Sequence, residues 1–184
     1  MAKILLMGDS LVGYMPKGLI GKENDEVINK GIENIGVKTY SKYCWPRFEY
    51  KDIDVYVLLI GINNILRPDC DYDDEQTIED LIDKLVEFID VIVKEKNSKL
   101  IVQGLYPTDD NEINKKVLFV NSQISKYCKE NNIEFLDMYD MLSNEAGLLK
   151  EEYSMDGLHP NIVGYNKIAE RINSKIGTLN KGKR

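Results

Sequence analysis

The 184-residue chain is poor in the residues that most metal and disulfide chemistry requires. It holds one histidine, His159, so any site built on two or more imidazoles is excluded. Its three cysteines, Cys44, Cys70 and Cys128, are odd in number and form no Cys-x-x-Cys pair. That excludes a disulfide scaffold and a cysteine zinc site, and it fits a reducing compartment. Long apolar runs are also missing. The longest, residues 55–62, is interrupted by Gly61, whereas a membrane span needs about 20 apolar residues. The chain opens Met1-Ala2-Lys3 and passes at once into Ile4-Leu5-Leu6-Met7, which is too short for a secretion signal. A cytoplasmic protein without a membrane partner is therefore expected. Basic residues are outnumbered: 24 Lys and Arg against 31 Asp and Glu give a net charge of −7, which argues against a nucleic acid partner.

What remains is a globular composition. The chain is 43% hydrophobic and 30% charged, so disorder is not expected. Five short apolar runs, at residues 4–7, 27–28, 55–60, 100–102 and 135–136, read as strands buried on both faces. Helical patterns separate them. Ile78, Leu81, Ile82, Leu85, Phe88, Ile89 and Ile92 share one helical face within residues 76–96. Asp73, Asp74 and Glu75 suit the start of that helix, and Lys94 and Lys96 suit its end. A second pattern covers residues 112–130, and a third begins at Asn161, a good N-cap. The alternation predicts an α/β protein: a central parallel sheet of about five strands with helices on both faces. One domain is expected over residues 1–176, with a polar, frayed tail at 177–184. In such sheets ligands bind beyond the carboxyl ends of the strands. The places to look are residues 8–13, 29–36 and 61–64.

The first of these carries Gly8-Asp9-Ser10-Leu11. A serine at a strand mouth that feeds a helix N-terminus has a hydroxyl placed for attack and an N–H placed to stabilise an oxyanion. Gly-Asp-Ser is also plain turn chemistry. Gly8 and Gly13 have the spacing of a phosphate loop, but Tyr14-Met15 stands where Lys-Ser/Thr is required, so a nucleotide site fails. Near the other end lies Asp156-Gly157-Leu158-His159-Pro160. A base histidine needs a carboxylate to fix its tautomer, and an Asp-x-x-His turn can supply one. The third segment, Gly61-Ile62-Asn63-Asn64, offers a side-chain amide suited to an oxyanion hole, although Asn-Asn is also a common turn former.

Together, Gly-Asp-Ser-Leu, Gly-x-Asn-Asn and Asp-x-x-His-Pro resemble the SGNH (GDSL-type) hydrolase family in order and spacing over nearly the whole chain. Asn29-Lys30-Gly31-Ile32-Glu33-Asn34 resembles the family's second block, except that Asn34 stands at the oxyanion-hole glycine and Gly36 lies two residues on. The third block ends in Asn64 where the family usually has Asp.

The resemblance implies a three-layer α/β/α, flavodoxin-like fold and metal-free, cofactor-free hydrolysis of acyl esters. On this basis Ser10 is the nucleophile, His159 the general base and then acid, and Asp156 its orienting carboxylate. The oxyanion hole would combine the N–H of Ser10, the Asn63 amide and the N–H of Asn34 or Gly36. The short chain leaves little room for a lid, which favours short acyl groups such as acetyl on a sugar or another small molecule. An acyltransferase and a non-catalytic carbohydrate binder are the alternatives, and the chain can be a monomer or a homodimer.

Other features are weaker. Trp45 and Arg47, with Tyr40, Tyr43 and Phe48, suit either a substrate pocket or a cover for the sheet edge. Arg67 follows the third block and suits contact with an anionic substrate group. Asp69-x-Asp71-x-Asp73 is similar to the start of a calcium loop but lacks its glycine and its final glutamate.

Overall fold

The computed structural model describes residues 1–48, 51–71, 76–95 and 98–181. Strands β1 (Lys3–Gly8), β2 (Glu26–Gly31), β3 (Val55–Leu59), β4 (Lys99–Gln103) and β5 (Glu134–Leu136) form one sheet. The order is β2-β1-β3-β4-β5 and every pairing is parallel. This is the flavodoxin-like order, with its switch point between β1 and β3.

The inner strands β1 and β3 carry the apolar runs and are buried along almost their whole length. Helices cover both of their faces, so no alternation with polar residues is seen. The second run behaves otherwise. β2 is an edge strand, and Glu26, Val27 and Asn29 are exposed. The expectation of burial on both faces fails there because β2 has a neighbour on one side only.

Three long helices pack on the sheet. α4 (Ile78–Glu95) buries Leu81, Leu85, Phe88, Ile89 and Ile92, as its periodicity requires. Its start is a reciprocal cap: the Asp80 N–H donates to Thr77 Oγ1 (3.1 Å) and the Thr77 N–H donates to Asp80 Oδ2 (2.9 Å). The start inferred at Asp73, Asp74 and Glu75 lies outside the described residues, as does Lys96. α5 (Asn111–Glu130) is capped by Asp110, which accepts from the Glu112 N–H at 2.7 Å. After the short α6 (Tyr139–Leu142), α7 (Ile162–Lys181) is capped by Asn161, whose Oδ1 accepts from Val163 (2.9 Å) and Gly164 (3.1 Å). That helix runs through Gly177 to Lys181, so residues 177–181 are helical where a frayed tail was expected. Leu179 packs on the core and extends the apolar face that far.

α4 packs against α5 and against the short α2 (Val37–Thr39). α7 reaches α1 (Ser10–Gly13) through the Tyr165 hydroxyl on the Leu11 carbonyl (3.0 Å). It reaches β5 through Lys175 on Glu134 (2.7 Å). The result is a three-layer α/β/α sandwich. Among the described residues, no helix is long and apolar enough to cross a membrane.

Candidate active site

The site stands at the switch point. A Cβ on Gly8 would fall 1.7 Å from the Leu59 carbonyl oxygen, so only glycine lets β1 end this close to β3. The chain then turns into α1. Asp9 caps that helix, its Oδ1 accepting from the Leu11 N–H at 3.0 Å. Ser10 is therefore the first helical residue, where backbone N–H groups have no partner within the helix.

The single histidine comes to this serine from 149 positions along the chain. Ser10 Oγ lies 3.0 Å from His159 Nε2, and His159 Nδ1 lies 2.7 Å from Asp156 Oδ2. The other Asp156 oxygen accepts from the backbone N–H of Leu158 (3.0 Å) and of His159 (2.7 Å). The loop is pinned at both ends. The Met155 N–H donates to the His159 carbonyl (2.8 Å), and the Asp109 N–H donates to the Gly157 carbonyl (2.8 Å). Burial works against ionisation of Asp156. The backbone and ring N–H groups of His159 and the Leu158 N–H outweigh it and hold the carboxyl below its usual range.

Two neighbours of this relay were not singled out for a role from sequence. The Tyr14 ring lies 5.1 Å from the imidazole, tilted by 44°. It is four residues after Ser10, which puts both on one side of a helical turn, so the spacing does carry a signal. Asp9 is fully buried, and among the described residues no donor completes a hydrogen bond to its Oδ2. Desolvation pushes its carboxyl up to about 7; the Leu11 and Gly61 amides and His159 lower it only in part.

Asn63 lies in α3 (Ile62–Leu66), just beyond β3, and its side-chain amide donates to the Ile35 carbonyl at 3.0 Å. This contact brings the third block onto the turn that holds both remaining oxyanion candidates. Asn34 adopts φ 57°, a conformation that glycine takes more readily. Arg67 reaches back to it, with Nη2 on the Asn34 carbonyl (3.3 Å) and on its side-chain oxygen (3.4 Å). Gly36 caps α2. The Ile32 N–H donates to the Gly8 carbonyl (2.9 Å) and ties this segment to the strand that leads to Ser10.

Trp45 and Arg47, expected at the substrate pocket, are placed away from the serine–histidine pair. Trp45 is only 5% exposed. It packs edge-on against Tyr56 (5.9 Å), Phe88 (5.9 Å) and Phe48 (6.5 Å). Tyr56 is the second residue of β3, near the end of the sheet opposite the mouth. The helical stretch that starts at Val37 rises about 1.5 Å per residue, so by Trp45 it has left the site. Arg47 is exposed in the same turn. Of the acidic run compared with a calcium loop, Asp71 faces inward onto the Lys38 and Thr39 N–H groups. Asp73 and Asp74 lie outside the described residues.

Residues 7–167 match the GDSL-like lipase/acylhydrolase family. The chain is 31% identical over 179 residues to an N-acylneuraminate cytidylyltransferase of Escherichia coli, covering 92% of this chain and 40% of that protein. It thus spans well under half the length of that curated relative. A GDSL-like lipase from Bacteroides thetaiotaomicron has the same fold at 16% identity, with a TM-score of 0.82 over 96% of this chain and 88% of that one. So does an acetylxylan esterase from Geobacillus stearothermophilus, at 17% identity and a TM-score of 0.71 over 96% and 94%. The family match spans Ser10, Asn63, Asp156 and His159, and the chain belongs to the GDSL-like lipase/acylhydrolase family.

Proposed function

We propose that the chain removes short acyl groups from a sugar or other small molecule through an acyl-enzyme on Ser10. The observation that carries this is the unbroken relay from Ser10 Oγ to His159 (3.0 Å) to Asp156 (2.7 Å). Ser10 Oγ attacks the ester carbonyl while its proton passes to His159 Nε2. The developing oxyanion meets the Ser10 N–H, the Asn63 amide and the N–H of Asn34 or Gly36. As the tetrahedral intermediate collapses, the imidazolium returns the proton to the leaving alcohol. Water then gives a proton to His159 and attacks the acyl carbon. Ser10 leaves with that proton and the acid is released. Asp156 stays ionised throughout and balances the imidazolium.

The substrate class has two supports. The similar fold of an acetylxylan esterase favours an acetyl group on a sugar. The name of the bacterial relative points to an N-acylneuraminate, an acidic sugar. Arg67, at the turn beside Asn63, suits the carboxylate of such a sugar. Initial rates on acetyl, butyryl and octanoyl esters, and on O-acetylated neutral and acidic sugars, test the proposal. Acetyl esters should turn over fastest, and Ser10→Ala should abolish turnover. A preference for octanoyl, or turnover by Ser10→Ala, would contradict it.

A further inference from the structure

Two segments that are distant in sequence, residues 35–39 and 63–71, meet behind the oxyanion turn, and a buried carboxylate joins them. Asp71 is 5% exposed. Its Oδ1 accepts from the Thr39 N–H (2.8 Å), and its Oδ2 accepts from the Lys38 N–H (3.1 Å) and the Asn64 side-chain amide (2.8 Å). Asn64 in turn accepts from the Val37 N–H (3.1 Å) through its own oxygen. The next residue back, Asn63, donates to the Ile35 carbonyl. The carboxylate also fills the space beside Gly36: a Cβ there would fall 2.4 Å from Asp71 Oδ1. Residues 35–39 are thereby fixed, peptide by peptide, to the segment that presents Asn63. Burial opposes ionisation of Asp71, but the donors from Thr39, Asn64 and Lys38 prevail and keep it charged.

We infer that Asp71 is a positioning residue for the oxyanion hole, acting through Asn64 and Gly36 to set the turn at residues 34–36 against the Asn63 amide. The inference rests on the esterase function proposed above and deepens it. Asp71 touches neither substrate nor the serine–histidine pair. It supplies the acceptors for the Lys38 and Thr39 N–H groups of α2 and shares the Asn64 amide with Gln76 Oε1 (3.2 Å). An oxyanion donor a few tenths of an ångström out of place still binds the ground-state ester but stabilises the tetrahedral oxygen less well. Loss of Asp71 should therefore appear in kcat rather than in KM.

A charge swap makes this testable without relying on truncation alone. In Asp71→Asn one acceptor of the cluster is lost. In Asn64→Asp two carboxylates face each other across a contact that is 2.8 Å in the native chain. In the double variant Asn64→Asp/Asp71→Asn the hydrogen bond reforms with donor and acceptor exchanged. The side-chain nitrogen of Gln76, buried and without an acceptor among the described residues, can turn toward the new carboxylate. Steady-state kinetics on an acetyl ester, with a melting curve for each protein, should show kcat down by about 10- to 100-fold in each single variant, with KM within about twofold. The double variant should recover at least about tenfold over the product of the two losses.

Native kcat in folded Asp71→Asn would overturn the inference. So would a raised KM at constant kcat, or a folded double variant no better than the product of the singles. If the native protein hydrolyses no ester, the esterase function fails separately. The network is then read from the NMR signals of the Gly36 amide and the Asn63 side chain. They should shift in Asp71→Asn and return in the double variant; unmoved signals would overturn the inference.

Discussion

Asp156 holds His159 twice, taking the backbone N–H on one carboxylate oxygen and the ring Nδ1 on the other, both at 2.7 Å. One side chain thus shapes the loop and orients the imidazole within it. Asp156→Asn keeps an acceptor for the backbone but loses the charge that balances the imidazolium. It should lower kcat by roughly 10³- to 10⁴-fold with little change in melting temperature, since the Asp156 side chain is 52% exposed. A kcat within about tenfold of the native value would show that this carboxylate does not support the base.

The pH–rate profile follows from the same pair. Because the Asp156 carboxyl is held below its usual range, it keeps its charge until the pH falls below about 4. Activity should fall on the acid side before Asp156 loses its charge, and activity that stays flat down to about pH 4 would contradict a base role for His159.

Asp9 gives a pH dependence of stability with the opposite sign. Its carboxyl titrates near 7 in the fold and near 4 when unfolded. The folded state therefore binds the extra proton between those values. The contribution is full below about pH 4 and is lost as pH rises through about 7. Native protein should lose on the order of 2 kcal/mol more than Asp9→Asn between pH 5 and pH 8, measured by urea unfolding. Equal slopes for the two proteins would mean that Asp9 is ionised throughout.

Two residues with a shared sequence expectation should now separate. Trp45→Ala removes a buried aromatic from contact with Tyr56 and Phe88 and should cost about 3–5 kcal/mol of stability, leaving KM of the folded fraction unchanged. Arg67→Ala should leave stability nearly intact. It should raise KM about tenfold for esters of acidic sugars and leave KM for neutral acetyl esters as it was. Equal effects on both substrate classes would remove the anion contact.

Most of this was legible in the sequence where the information is local. The runs that became β1 and β3, the cap at Asn161, and the motifs around Ser10, Asn63 and His159 each declare themselves within a few residues. Edge position is not local, which is why β2 was misjudged: its exposure follows from strand order. Nor is the distance a helical stretch travels, which took Trp45 from the expected pocket to the far end of the sheet. Asp71 looked like part of an acidic loop because its partners, Lys38 and Thr39, are 33 and 32 positions away. Tyr14 is the exception, since its spacing from Ser10 is local and places its ring beside His159.

The central claim is that Ser10 is an activated nucleophile. Incubation of the folded protein with a fluorophosphonate, followed by intact mass and peptide mapping, tests it most directly. The account predicts a single adduct on Ser10, lost in Ser10→Ala and formed far more slowly in His159→Ala. No adduct on folded native protein, or an adduct on another residue, would contradict it.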